Sequence, residues 1–475
     1  MTPMTLAQLS EVVGGTVHDA EDGGTGLRVT GPATIDSRAV EPGGLFAAFV
    51  GEHVDGHDYA ASAVEAGAAA VLGSRPVGVP SVVVDDPGAA LTALARHVLA
   101  RLPDVQVLAV TGSQGKTSTK DLLAAVLADA APTVATRGSF NNELGLPLTV
   151  LRADPGTRFL LLEMGARGIG HIRTLCEVAR PDVAMVLNVG KAHLGEFGTQ
   201  ADIARAKGEL VEALPGDGVA VLNGDDPLVD AMASRTDARV LRFGSTAGAD
   251  LRWSDVRLDE RGHASVVLQH AGERVPVALQ LVGEHMAVNA AAAAAAALSV
   301  GVPLADAARS LSAVRTLSQW RMEVHERGDG VTVVNDAYNA NPDSMAAALK
   351  ALVAIGGGAR ARRRRTIAVL GEMKELGESG EAEHEAVGRL AVRLGVDRVV
   401  AVGAPARAIG EGARAEAGSG EERAVFVDDN EAAVALLRGE LRDGDVVLLK
   451  ASRGARLDLV AAAVLDQGLD DGAGR

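Results

Sequence analysis

The chain has 475 residues, 47% of them hydrophobic and 2% aromatic. That length exceeds one ordinary core, so two or three domains are expected, filled with Ala, Val and Leu rather than rings. Lysine and arginine total 46 against 62 acidic residues, a formal net charge of −16, which argues against general nucleic-acid binding.

A single cysteine, Cys176, excludes an intrachain disulfide and fits a reducing, cytoplasmic setting. The first residues lack a basic region followed by an apolar stretch, so no signal peptide is expected. The run Ala290 to Ala297 is flanked by Glu284 and His285. It reads as a packed helix rather than a membrane insertion.

Residues 1–103 read as a small α/β unit. Leu6, Leu9, Val12 and Val13 form one helical face; strands are expected at Leu45–Val50 and Ser81–Val84, with a helix over Tyr59–Ala70 between them. His53 and His57 lack a nearby thiolate or third ligand, so a loop near the surface is the better reading than zinc. Arg101–Asp104 is the first joint.

Residues 104–315 alternate strand and helix in the manner of a parallel sheet. Strands are expected at 105–110, 159–163, 183–188 and 218–222. Helices fit at 117–129, 169–178, 201–214 and 285–299. The stretch 245–282 reads as an antiparallel appendage. Leu311–Arg321 is the second joint. Residues 316–475 repeat the doubly wound pattern, with strands at 331–335, 366–370, 398–402 and 445–449. Arg362–Arg365 form a basic run that reads as a solvated loop rather than a nucleic-acid patch.

The chemistry starts at Val107–Ser118. An apolar run feeds Gly112-Ser113-Gln114-Gly115-Lys116-Thr117-Ser118, and a helical pattern follows. Glycines let backbone N–H groups close on phosphate oxygens, and the helix N-terminus adds positive potential. Lys116 suits β/γ-phosphates and Thr117 suits Mg²⁺. Val110 stands where the general P-loop pattern has its first glycine, so the loop is tighter.

Other strand ends carry further groups. The run 159–162 ends at Glu163, and 183–188 leads to His193. If these strands neighbour the P-loop strand, a hydroxyl, a carboxylate and an imidazole converge on the metal; the alternative is that Glu163 and His193 only satisfy loop backbone. Lys207 falls between Ile203 and Leu210 in an apolar helical stripe. Desolvation would lower its pKa and favour a carbamate, whereas snorkelling toward Glu209 or Glu212 is the alternative. Asn141 and Asn142 suit a substrate carboxylate or phosphate, or ordinary turn chemistry. Asp336 follows a strand and suits ribose hydroxyls. Lys450, Ser452 and Arg453 follow the last strand and suit an anionic substrate; each of these residues reads equally as a capping or solvated one.

Taken together, these segments resemble the Mur ligase family of ATP-dependent amide-bond ligases over essentially the whole chain. The resemblance rests on Ile35-Asp36-Ser37-Arg38, Asp55–Asp58, Thr111–Ser118, Asn141–Pro147, Glu163–Ala166, Ala192-His193, Ala206–Glu209, Asn335–Met345, Val369–Gly377 and Leu449–Arg453. The run Tyr338–Met345 resembles the D-alanyl-D-alanine-adding branch. The resemblance implies an α/β fold of three domains: a UDP-substrate-binding domain (1–103), a central P-loop parallel-sheet domain that binds ATP (104–315), and a C-terminal Rossmann-like domain (316–475) that closes over both.

It further implies ATP and Mg²⁺, with Thr117, Glu163, His193 and a carbamylated Lys207 around the metal and Lys116 on the phosphates. Asn289 would sit near the adenine, and Arg321 and Asp336 would reach ATP. Ser37, Arg38, Asn141, Asn142, Asn339, Lys450 and Arg453 would meet the UDP-N-acetylmuramoyl-tripeptide or D-alanyl-D-alanine. A cytoplasmic monomer without nucleic-acid partners is expected. The chain departs from the family pattern at Met286 (often asparagine), Asn335 (often acidic), Ala451 (often glycine) and Trp320, where a glycine frequently precedes the arginine.

Overall fold

The computed structural model describes residues 1–190, 194–357, 363–418 and 423–470. Its strands form a small two-stranded ribbon and sheets of five, nine and six strands, so the α/β expectation holds.

The five-stranded sheet runs Thr16–His18, Ser81–Val83, Ala70–Gly73, Leu45–Ala47, Ala33–Thr34. The expected helix over Tyr59–Ala70 is shorter, Ala60–Glu65. Gly67 turns the chain at φ +115°, and Ala70–Gly73 is a buried strand instead. Four successive buried residues suit a strand covered on both faces, and their lack of alternation hides it in sequence. His57 is not in a surface loop. Its ring is buried, with Nδ1 2.6 Å from Asp55 Oδ1 and Nε2 accepting from Ser74 N at 2.9 Å.

The nine-stranded sheet places Gln106–Thr111 between Phe159–Glu163 and Val183–Val186, all parallel. The register sets Glu163 beside Val110 and Val186 beside Thr111. Three C-terminal strand ends therefore open at one place, as a doubly wound sheet requires at its crevice. The expected appendage is a continuation of this sheet. Leu251–Leu258, His263–His270 and Glu273–Val282 pair antiparallel at its edge, and the alternating burial of the first two shows one face covered and one wet.

Helix His285–Ser299 packs on helix Lys116–Ala130. Ala290 to Ala297 are all fully buried, because methyl side chains let the helix sit close against its neighbours on every side. Among the described residues, no helix is long and apolar enough to cross a membrane.

The six-stranded sheet runs Glu323–Glu326, Thr332–Asn335, Val446–Lys450, Thr366–Leu370, Arg398–Val402, Ala424–Val427, parallel except for its first strand. The arginine run before Thr366 is not a solvated loop. Arg364 is buried and donates to Gly444 O, Thr332 Oγ1 and Asp445 O, while Arg365 pairs with Asp445 at 3.0 Å. These arginines staple neighbouring strand starts together; Arg362 lies outside the described residues.

Candidate active site

A cavity of about 740 Å³ opens at the meeting of these strand ends and is walled on its far side by the six-stranded part. Its floor is the glycine loop. Gly115 takes φ +78°, a left-handed turn that glycine adopts without steric cost, and helix Lys116–Ala130 starts immediately after. Asn188, which follows strand Val183–Val186, holds the loop. Its Oδ1 accepts from Ser113 N (2.9 Å) and Gln114 N (3.0 Å), and its Nδ2 donates to Gln114 O (3.1 Å). An amide after an apolar strand was the available signal, and sequence reasoning passed over it.

Lys116 Nζ donates back to Gly112 O at 2.7 Å. Burial lowers its pKa, Arg321 adds to that, and Glu163 opposes it. Thr117 Oγ1 accepts from Arg321 Nη2 at 3.1 Å. Ser118 also borders the cavity.

Glu163 is buried at the end of its strand. Its Oε1 accepts from Asn141 Nδ2 at 2.7 Å, and its Oε2 has no hydrogen-bond partner among the described residues. A buried carboxylate oxygen without a donor is costly unless a cation completes it. Asn141 thus serves Glu163, while Asn142 Oδ1 accepts from Gly145 N at 2.9 Å in a turn. His193 lies outside the described residues. Among those described, no group of three His, Cys, Asp or Glu side chains gathers for a metal.

Lys207 ends helix Gln200–Lys207, and a separate turn, Glu209–Glu212, follows Gly208; the helix expected over 201–214 is therefore divided. Lys207 is only 2% exposed and borders the cavity. Among the described residues, neither carboxylate named in the snorkelling alternative pairs with Lys207. Glu209 is buried and accepts from Gly170 N (2.6 Å) and Arg173 N (3.0 Å), capping helix His171–Val178. Glu212 pairs with Arg235 at 2.8 Å. Burial first, and Lys116 second, push the Lys207 pKa well below the ordinary lysine value. A neutral amine is the form such a site favours.

Asn289 packs over the glycine loop: a Cβ on Gly115 would lie 2.8 Å from its Oδ1. Met286 is buried beside it, with Sδ 3.8 Å from Asn289 Nδ2. His285 also borders the cavity, and burial pushes its imidazole down to about 4.

The far wall is an ion-paired bracket. Asp336 Oδ2 accepts from Lys450 Nζ at 2.6 Å, and Oδ1 accepts from Met322 N at 3.2 Å. Lys450 also donates to Asn339 O at 2.9 Å. Burial lowers its pKa against the pull of Asp336. Arg453 borders the cavity with its guanidinium over the Trp320 ring. Tyr338 Oη contacts Ser139 Oγ, a further bridge between the walls. Ser37 and Arg38 are not in this cavity. Arg38 is exposed and paired with Asp36 at 2.8 Å.

Family models match in sequence order. "Mur ligase family, catalytic domain" covers 33–111, "Mur ligase middle domain" 110–297, and "Mur ligase, glutamate ligase domain" 320–453. The UDP-N-acetylmuramoyl-tripeptide–D-alanyl-D-alanine ligase of Mycobacterium tuberculosis is 49% identical, covering 98% of each chain. That of Escherichia coli is 35% identical over 98% of this chain and all of the relative. A crystal structure of MurF from Acinetobacter baumannii superposes with a TM-score of 0.84 at 30% identity, covering 98% of this chain and 99% of that one. MurF from Thermotoga maritima in complex with ADP superposes at 0.76, 30% identity, covering 93% and 99%. The chain belongs to the Mur ligase family, in the branch of the UDP-N-acetylmuramoyl-tripeptide–D-alanyl-D-alanine ligases.

Proposed function

We propose that this chain is the ATP-dependent ligase that joins D-alanyl-D-alanine to UDP-N-acetylmuramoyl-tripeptide, in the cytoplasm and as a monomer, during peptidoglycan precursor synthesis. The domain limits that accompany this reading are 1–103 for the UDP-substrate, 104–315 for ATP and 316–475 for closure and the dipeptide.

The terminal carboxylate of the tripeptide attacks the γ-phosphorus of ATP, forming a carbon–oxygen–phosphorus link and releasing ADP. The dipeptide amine then attacks the acyl carbon; a C–N bond forms, the amine loses a proton and inorganic phosphate leaves. Carboxylate and triphosphate repel, so charge neutralisation and positioning dominate. Lys116 opposes the β/γ-phosphate charge. The first turn of helix Lys116–Ala130 offers N–H groups with no intrahelical acceptor. Arg321 brings a second fixed cation to the same place. Asn289 covers the loop where the base would lie.

The donors fit Mg²⁺. Thr117 and Glu163 Oε2, which has no hydrogen-bond partner among the described residues, are hard oxygens in one cavity, the kind this ion takes while keeping waters and phosphates. Bound there, it would supply charge neutralisation between the two anions. Lys207 would join them as a carbamate, its neutral amine having added carbon dioxide and released a proton.

The observation that carries this reading is one cavity lined by Lys116, Thr117, Glu163 and Lys207 on one wall and Arg321, Asp336 and Lys450 on the other. Phosphate release by the purified protein tests it. Release should require both UDP-N-acetylmuramoyl-tripeptide and D-alanyl-D-alanine. Full hydrolysis with ATP alone would mark a regulatory NTPase instead.

A further inference from the structure

Trp320 and Met322 take φ of +58° and +51° on either side of Arg321. Bulky L-residues seldom adopt that conformation, and glycine would take it freely. The Trp320 ring stacks beside Tyr338, centroids 6.4 Å apart and planes 25° apart. Each ring of the pair carries one arginine. Arg321 lies 4.3 Å from the Tyr338 centroid and is directed to Thr117. Arg453 lies 3.9 Å from the Trp320 centroid.

Arg453 is held at one side by Asp458, 3.1 Å from Nη1, and borders the cavity. Lys374 borders it too, and its Nζ lies 2.7 Å from where a Cβ on Gly454 would stand. Its backbone N–H is pinned to Ser452 Oγ at 2.9 Å. Two cations thus flank Gly454, with Glu375 the nearby acidic member of the wall.

We infer that Trp320 is a positioning residue for the acceptor: stacked against Arg453, it fixes the guanidinium plane so that Arg453 and Lys374 seat the C-terminal carboxylate of the incoming dipeptide. This rests on the ligase reading above. The acceptor's amine must reach the acyl carbon near Lys116, and its one anionic group is the carboxylate. A planar guanidinium fork matches a carboxylate in two-point contact. Stacking removes rotamer freedom that binding would otherwise have to freeze.

The test compares wild type, Trp320→Gly, Trp320→Phe and Trp320→Leu with two acceptors, D-alanyl-D-alanine and its C-terminal amide. Glycine keeps the backbone turn and removes the ring; phenylalanine keeps a π-face; leucine keeps apolar bulk without one. Trp320→Gly should raise KM for the dipeptide about tenfold, the range of a partly desolvated cation–π contact. KM for ATP should rise less than KM for the dipeptide, any rise reflecting the Tyr338 ring that Trp320 shares with Arg321, and the amide should show no penalty relative to wild type. Trp320→Phe should resemble wild type.

An equal penalty with dipeptide and amide, or no penalty with either, overturns the inference. If Trp320→Gly loses its cooperative melt, Trp320→Leu against Trp320→Phe gives the same reading. Absence of wild-type turnover with both substrates would instead overturn the ligase assignment.

Discussion

Arg321 donates to the hydroxyl of Thr117 at 3.1 Å, so a side chain entering the six-stranded part closes on the first turn of the P-loop helix. The guanidinium is also stacked on Tyr338, which fixes its plane.

Replacing Arg321 with alanine removes a charge-assisted bond of about 1.5–3 kcal/mol. We expect kcat/KM for ATP to fall roughly 10- to 100-fold. Lysine should not restore it, because a point charge neither stacks nor forks. Steady-state phosphate release measures this, and an alanine variant at wild-type efficiency would contradict the role.

Lys207 is buried beside Lys116 with its pKa pushed down, and neither Glu209 nor Glu212 is available to it. Lys207→Ala should be inactive and partly rescued by short carboxylic acids, which restore an anion where the carbamate would stand. An alanine variant that is fully active with no added acid would count against carbamylation.

Glu209 supports that region from behind by capping Gly170 and Arg173. Glu209→Ala leaves both N–H groups without an acceptor and should cost about 1–3 kcal/mol. Urea denaturation reads this directly. An unchanged midpoint at equal m would show that the cap contributes nothing.

The sequence made the P-loop legible because its glycine, lysine and hydroxyl sit within one short run after an apolar strand. Glu163 was legible for a similar reason: a charge terminates four apolar residues. The burial of Lys207 followed from helical phase, but the absence of an ion-pair partner among the described residues did not, since Glu209 and Glu212 are committed to residues far along the chain. The strand Ala70–Gly73 was missed, with its first residue taken into the preceding helix, because a strand buried on both faces shows no alternation. The arginine run read as solvated because its acceptors are strand-end carbonyls some eighty positions away. Trp320 was noticed only as a departure from a frequent glycine; its contact with Arg453 was not legible, since that pair exists only once the two loops meet.

His285 gives a pH prediction. Burial holds its imidazole at about 4 against an ordinary 6.5; Lys450 lowers it further and Asp336 opposes. The unfolded chain then binds a proton that the folded chain refuses. Stability from this group is present above 6.5 and is lost as pH falls from there toward about 4. The full loss is roughly 3 kcal/mol. His285→Gln should therefore show a flatter decline of Tm across that window than wild type. Parallel curves would mean that the imidazole is not held neutral.

The central claim is that Lys116 stands at the phosphate being transferred. Its direct test is trapping of the acyl phosphate with hydroxylamine, using ATP and UDP-N-acetylmuramoyl-tripeptide without acceptor, alongside calorimetric binding of the UDP-substrate. Wild type should yield the hydroxamate, and Lys116→Ala should yield none while still binding the UDP-substrate. Hydroxamate from Lys116→Ala at the wild-type rate would contradict the account.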